Sequence, residues 1–343
     1  MDFSTPHPLQ RYWDLAAAPI QAEALAVALS LGLFEALDHP KTAAELATLL
    51  QLHPDNTRYL LELLWSMELC QRIPGDPADQ YQTHAQAQRF FTRGSADCCA
   101  DAWLFRLRAL RHAATQLGEL VQHGTQSAPP FANGSTSGWA QAARVQIGQE
   151  QQAVTVPAAL AVLAQVPGLG QARRMLDLGG GPGWVAIALA QRYPELRGVV
   201  FDGPPTAEVA AENIHSAGLN ARLQAQGGDL VHDPIGGDYD LVWCSSVLHF
   251  VPDIPTVLAK MLAALRPGGV LVCAHAEVGD TPAAAARVLP YYLPMRMQGR
   301  HVTPQGQLAT QLGQAGFANI RSFESQAFPM APVQVLVARK EPA

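Results

Sequence analysis

The sequence predicts an α/β protein: a doubly wound, mostly parallel sheet preceded by a mainly helical domain. Three observations carry that expectation. From Arg173 onward, short apolar runs alternate with segments of helical spacing, the signature of βαβ units. In that half, the strand-like Arg174–Leu178 runs into Gly179-Gly180-Gly181-Pro182-Gly183 and then the helix-like Trp184–Ala190. A strand, a glycine loop and a helix in that order bring backbone amides close to a small polar ligand. The first half instead carries apolar residues at helical spacing from Trp13 to Leu37, rich in alanine. The expected division is a winged-helix-like dimerisation domain over 1–110, bridging helices and a lid loop over 111–168, and the sheet domain over 169–343.

Bulk composition narrows the class. The 343 residues suffice for two domains with separate cores. A formal charge of −6 argues against a nucleic-acid surface, which needs clustered cations. The five cysteines (Cys70, Cys98, Cys99, Cys244, Cys273) show neither metal spacing nor a disulfide framework, and no leader pattern is seen at the N-terminus. No apolar run is expected to span a bilayer, because Gln21, Glu23 and Glu35 interrupt Ala17–Leu37. A cytoplasmic protein with no nucleic-acid or membrane partner is the expectation.

Along the first half, Thr42-Ala43-Ala44-Glu45 fits a capping box that starts a helix through Leu46, Leu49 and Leu50. His53–Asn56 reads as a break, and a second helix carries Tyr59, Leu60, Leu63, Leu64 and Met67. Cys70–Ile73 and Tyr81–Thr83 read as a hairpin, which completes a winged-helix pattern. Such a domain would bind DNA, dimerise, or pack only on its own chain. Arg58 beside Glu62 and Glu68 makes a poor groove reader, while the first helix is apolar over more than one face. Dimerisation is therefore the preferred reading. Trp103–Val121 and Trp139–Leu163 follow as helices, separated by the polar loop Gly124–Gly138.

In the second half, strands are expected at Arg174–Leu178, Gly198–Phe201, Ala221–Ala225, Asp240–Cys244 and Val270–Ala274. Helices are expected at Val185–Arg192, Ala207–Ala217 and Val257–Leu265. Acids stand at three strand ends. Asp177 sits beside the glycine loop, in reach of a ligand amine. Asp202 is placed to accept two ribose hydroxyls, and Gly228-Asp229-Leu230 suits an adenine, with Leu230 against the ring.

The spacing Asp-x-Gly-Gly-Gly-x-Gly resembles the first motif of class I S-adenosylmethionine (SAM) methyltransferases. The whole chain is similar to the plant-type and bacterial small-molecule O-methyltransferases that act on caffeate, hydroxyindole and bacteriochlorophyllide. The likeness runs through Asp202, Gly228-Asp229, Leu265-Arg266-Pro267-Gly268-Gly269 and Leu312-Gly313-Gln314-Ala315-Gly316-Phe317. It implies a Rossmann-like SAM-binding domain, a homodimer formed through the N-terminal domain, and SAM as methyl donor. The donor would meet Asp177, Gly179, Gly180, Gly181, Gly183, Asp202, Gly228, Asp229, Leu230, Cys244 and Ser245.

In that family a histidine after the fourth strand takes the acceptor's proton, and His249 in Val247-Leu248-His249-Phe250 matches it. An imidazole of pKa about 6.5 suits that task near neutral pH. The family's two supporting acids are replaced here by His275, with Glu277 two residues on, and by His301. Three readings of the replacement are open. His249 works with Glu277, Asp253 or water; or His249, His275 and His301 converge on a metal, protein-bound or inside a tetrapyrrole substrate. Alternatively, methyl transfer has given way to decarboxylation, hydroxylation or ring closure. The acceptor pocket is expected at Tyr291, Tyr292, Met295 and Met297 and at Gln146, Gln149 and Gln152, although each would serve equally as core. A hydroxyl of a planar aromatic molecule is the expected acceptor, with nitrogen, sulfur or carbon as alternatives. A SAM-responsive regulator without turnover is the reading from another class.

Overall fold

A computed structural model describes residues 4–124 and 136–342. It divides into two compact units, Met1–Leu107 and Arg108–Ala343. The expected loop Gly124–Gly138 lies outside the described residues from 125 to 135; beyond them a helix has begun by Thr136.

The first unit holds α1 (Gln10–Leu31), α2 (Leu33–Ala36), β1 (Lys41–Thr42), α3 (Ala43–Leu50), α4 (Pro54–Ser66), β2 (Cys70–Ile73), β3 (Gln80–Thr83) and α5 (Ala85–Phe91). The helix expected over Trp13–Leu37 is two helices, because Gly32 takes a left-handed conformation and ends the first. The capping box is formed: the Glu45 amide donates to Thr42 Oγ1 at 3.2 Å, and Thr42 N donates to Glu45 Oε2 at 2.7 Å. The expected break at His53 is itself the start of α4, with Pro54 in its first turn and His53 Nδ1 accepting from the Asn56 amide. The three strands pair in the order β1-β3-β2, all antiparallel.

Helix α1 corrects the expectation that no segment is long enough to span a bilayer: its 22 residues pass by length and composition alone. The interrupting Gln21 and Glu23 are too few to break the apolar stretch. Ala24, Leu25, Ala28 and Leu29 are buried in the core of this unit. Trp13, Leu15 and Ile20 remain 54%, 70% and 63% exposed.

A long helix, α6 (Ala100–His123), runs into the second unit, followed by α7 (Thr136–Arg144) and α8 (Gln146–Glu150). A π-helical turn at Gln151–Thr155 leads to α9 (Val156–Leu163), so the helix expected over Trp139–Leu163 is interrupted. The βα alternation follows: β4 (Arg174–Leu178), α10 (Trp184–Arg192), β5 (Arg197–Asp202), α11 (Pro204–Ser216), β6 (Leu223–Gly227), β7 (Tyr239–Ser245), α12 (Ile254–Ala264) and β8 (Leu265–His275). Three short helices, α13 (Pro282–Ala286), α14 (Leu289–Met297) and α15 (Gln307–Gln314), precede β9 (Ala318–Ser325) and β10 (Val333–Arg339).

The seven strands lie in the order β6-β5-β4-β7-β8-β10-β9. The first five are parallel, and β10 joins β8 and β9 antiparallel. Strands β9 and β10 are additional to those expected from the sequence. Period-two alternation sorts the strands into two layers. Met175, Val200, Trp243 and Val272 pack toward α9, α10 and α11, while Leu176, Phe201, Cys244 and Leu271 pack toward α12 and α15. The chain turns to opposite sides of the sheet after β4 and after β7, so the open crevice is at the carboxyl ends of those two strands.

Exposed apolar side chains on one long helix suit burial against a second copy of the chain. Replacing Leu15 and Ile20 together by Asp is expected to leave the monomer's melting temperature nearly unchanged. Sedimentation mass should fall from dimer to monomer; an unchanged mass would rule this face out.

Candidate active site

On β4, Asp177 follows Leu176 and so shares the face of Met175, beneath α10. It is 2% exposed, and its Oδ2 is buried with no hydrogen-bond partner. Loss of water raises its pKa from 3.8 to about 7; the Ala186 amide opposes the shift and the nearby Asp202 adds to it. The loop beside it is glycine for steric reasons. A Cβ on Gly180 would lie 2.7 Å from Asp177 Cγ. Gly179 has φ +67°, and a Cβ there would meet Val247 Cγ2 at 2.2 Å.

Three side chains brace this loop. Asp202 Oδ2 accepts from the Gly181 amide at 2.8 Å, and its Oδ1 from the Gly203 amide at 2.7 Å. Gln151, in the π turn, donates from Nε2 to the Gly180 carbonyl at 3.0 Å and accepts the Trp184 amide on Oε1 at 3.2 Å. Asn213 Nδ2 donates to the Pro182 carbonyl at 2.9 Å. Burial raises the Asp202 pKa, against the pull of its two amides.

At the end of β6, Asp229 Oδ1 accepts from the amides of Val231 (2.7 Å) and His232 (3.3 Å). Lys260 reaches across from α12 to the carbonyls of Leu230 (2.8 Å), Val231 (3.2 Å) and Asp233. The Gly228 amide donates to the Asp202 carbonyl at 3.0 Å, tying this turn to β5. Because β4, β5 and β6 are sheet neighbours, Asp177, Asp202 and Asp229 stand along one rim. The residues present fit SAM at this rim: a buried carboxylate oxygen lacking a partner stands beside a loop where a Cβ on Gly179 or Gly180 would clash.

Cys244 and Ser245 stand differently. The Cys244 thiol is fully buried in the core layer and hydrogen-bonds Cys273 on β8, which raises its pKa together with burial. Its side chain therefore belongs to the core. Ser245 ends β7, half-buried.

The histidines form a second cluster. His249 lies in a 3₁₀ turn, Leu248–Phe250, after β7, and is 4% exposed. Its Nδ1 is 2.6 Å from the backbone carbonyl of His301. A carbonyl only accepts, so Nδ1 carries the proton and Nε2 keeps a lone pair. That Nε2 is buried without a partner. Burial lowers the His249 pKa below 6.5, the His301 carbonyl opposes the shift, and the His301 side chain adds to it. His275, 2% exposed, has its ring centre 5.4 Å from that of His249, and Tyr292 has its own at 5.1 Å. Phe250 meets Trp139 edge to face at 5.3 Å, which adds two aromatic groups on this side.

Two expected site residues are engaged elsewhere. The His301 ring approaches the Pro252 carbonyl at 3.1 Å and borders a cavity of 330 Å³ between α12, α14 and α15; only its backbone reaches His249. Glu277 accepts from Thr303 Oγ1 (3.1 Å) and from the amides of Gly306 (2.8 Å) and Leu308 (3.0 Å). It caps α15, whose N-cap residue, Gly306, has no side chain to do so. The three imidazoles do not converge, and the described residues hold no cluster of His, Cys, Asp or Glu suited to a metal.

Of the expected acceptor residues, Tyr292 is buried with Val288, Val302 and Ala331, and Met295 packs at the edge of that group. Tyr291 is 40% exposed. Gln146 has a buried Oε1 with no partner, and Gln149 is half-buried. Gln151, Asn213, Lys260 and Val247 were not expected from the sequence. Gln151 stands beside Gln149 and Gln152 in sequence, and the π turn removes the helical spacing that would have singled it out.

An O-methyltransferase domain model matches residues 109–318, and an O-methyltransferase dimerisation domain model matches residues 13–93. The chain is 30% identical to the N,N-dimethyltransferase OxyT of Streptomyces rimosus over 76% of each chain. It is 28% identical to the mitomycin biosynthesis 6-O-methyltransferase of Streptomyces lavendulae, over 94% of this chain and 93% of the other. Its fold matches human N-acetylserotonin methyltransferase in complex with SAM, with a TM-score of 0.81 at 22% identity, over 99% of this chain and 100% of that one.

The raised pKa of Asp177 has a measurable sign. Between 3.8 and about 7 the unfolded chain releases this proton while the folded chain retains it, so the group lowers stability as pH rises through that window. Asp177→Asn is therefore expected to melt above the wild type at pH about 7.5, with the gap closing toward pH about 4. Its affinity for SAM should fall about tenfold or more. A variant that melts lower at every pH, or binds SAM as well as the wild type, would contradict this placement.

Proposed function

The chain belongs to the O-methyltransferase family, and from that premise we propose that it methylates a hydroxyl of a planar aromatic or heteroaromatic small molecule, with His249 as general base. It is a SAM-dependent O-methyltransferase with a dimerisation domain. The observation that carries the assignment of the base is the His249 geometry: Nδ1–H held by the His301 carbonyl at 2.6 Å, and a dry, unpartnered Nε2. A buried acceptor atom left unpaired costs about 1–3 kcal/mol, which a substrate hydroxyl would relieve.

SAM supplies an electrophilic methyl on a sulfonium. The residues around it bind, orient and deprotonate. Asp177 would meet the donor's ammonium, Asp202 its ribose and the Asp229 turn its adenine. His249 Nε2 takes the proton from the acceptor hydroxyl, whose oxygen then displaces the thioether in line. Because burial lowers its pKa, His249 is neutral at pH 7 and ready to accept. Tyr292, Phe250 and Trp139 offer apolar ring contacts for a flat acceptor, with Tyr291, Met295, Gln146 and Gln149 as candidates for its edge.

An amine acceptor is the second reading, favoured by the 30% identity to an N,N-dimethyltransferase. The free cysteines suit a reducing cytoplasm.

Calorimetry should show binding of SAM and of its demethylated product; a folded protein that binds neither would end the proposal. His249→Ala is expected to lower methylation of a phenolic acceptor by about 10²–10⁴ while leaving SAM affinity unchanged. Unchanged turnover would remove His249 as base, and turnover on aryl amines alone would favour the second reading.

A further inference from the structure

The turn after β7 reaches the site in two places. Val247 packs on Gly179 of the donor loop, and His249 presents the free Nε2. Ser246, which leads into this turn, has φ +56°, a conformation uncommon for a residue with a Cβ. The backbone's own preference therefore does not hold the turn in place. His275, at the end of β8, does. Its Nε2 lies 3.0 Å from the amide nitrogens of both Val247 and Leu248. A ring nitrogen that accepts two N–H groups carries no proton, so the proton is on Nδ1 and the ring is neutral.

We propose that His275 is a positioning residue that clamps the Val247 and Leu248 amides and so sets the donor loop and the base with one uncharged side chain. The inference rests on reading His249 as the base. A carboxylate in this position would accept the same two amides, but it would place a negative charge close to the His249 ring and favour its protonated form. The neutral imidazole performs the clamping without that charge. Among the acids near the cluster, Glu277 is occupied at the start of α15 and Asp253 accepts from Thr256 at the start of α12. Among the described residues, the titratable groups facing His249 are Tyr292, His275 and His301, and the one facing His275 is His249. Burial, the largest cause, and the nearby His249 hold the His275 pKa well below 6.5, which agrees with a permanently neutral clamp.

The test uses the full-length protein and needs no acceptor. In His275→Gln, the amide oxygen can take the place of Nε2, and SAH should bind within about threefold of wild type. His275→Ala should bind SAH about tenfold more weakly or worse, although the side chain does not belong to the donor rim. His275→Glu should raise the His249 pKa, read by nitrogen NMR of labelled histidine, by about one pH unit or more, whereas Gln leaves it unchanged. Wild-type affinity in a folded Ala variant, or an unmoved His249 titration in the Glu variant, would overturn the proposal. If the Ala variant does not fold, the wild-type spectrum decides: His275 must show the Nδ1–H tautomer at pH 7, and an Nε2–H or charged ring refutes the clamp. Failure of His249 as base would appear only in turnover, so the two results separate.

Discussion

The glycine loop of the sheet unit is organised around a carboxylate kept dry near the carboxyl end of β4. Burial makes ionisation of Asp177 costly, and no described residue offers its Oδ2 a hydrogen bond. Much of the surrounding architecture follows. Gly180 has no side chain because the acid occupies that space. The loop is then too bare to hold its own shape, so Asp202, Gln151 and Asn213 brace it from β5, the π turn and α11. The glycine loop and its acid, the proposed donor site, are thus a destabilised spot in an otherwise apolar sheet, stable because their neighbours over-determine them.

Much of this was readable in the residues. The strand runs β4, β5, β7 and β8 were legible because a sheet buried on both faces must be nearly continuous in Val, Ile and Leu. The three rim acids were legible because strand ends in such sheets have fixed neighbours. Thr42 and Glu45 announced a helix start because the two hydrogen bonds of a capping box need that spacing. Other features were not local enough to read. The antiparallel pair β9 and β10 is paired through tertiary register rather than through a crossover pattern. Position suggested Glu277 as a partner for the base, but a carboxylate bonds the nearest unsatisfied amides, and those belong to α15. His301 contributes through its carbonyl, an atom that every residue possesses and that no motif can reveal.

The two imidazoles at the end of β7 and β8 divide the labour unevenly. His249 has one nitrogen fixed by a carbonyl and one left open, while His275 has its accepting nitrogen saturated. With no carboxylate bonded to either ring among the described residues, His249 as the proposed base would be weak for an imidazole and would favour acceptors whose hydroxyl gives up its proton readily. The aromatic neighbours Tyr292, Phe250 and Trp139 add apolar surroundings, which disfavour charge on the ring still further.

The π turn at Gln151–Thr155 makes the glycine loop depend on a residue count. One surplus residue there turns the side chains ahead of it by about 100° relative to a regular helix, and this phase is what points Gln151 at Gly180 and Trp184. The bridging helix should therefore tolerate changes of residue type at many positions while being intolerant of changes in length. In a protein-engineering or evolutionary setting, a single-codon deletion in this stretch would act like a distant lesion in the glycine loop.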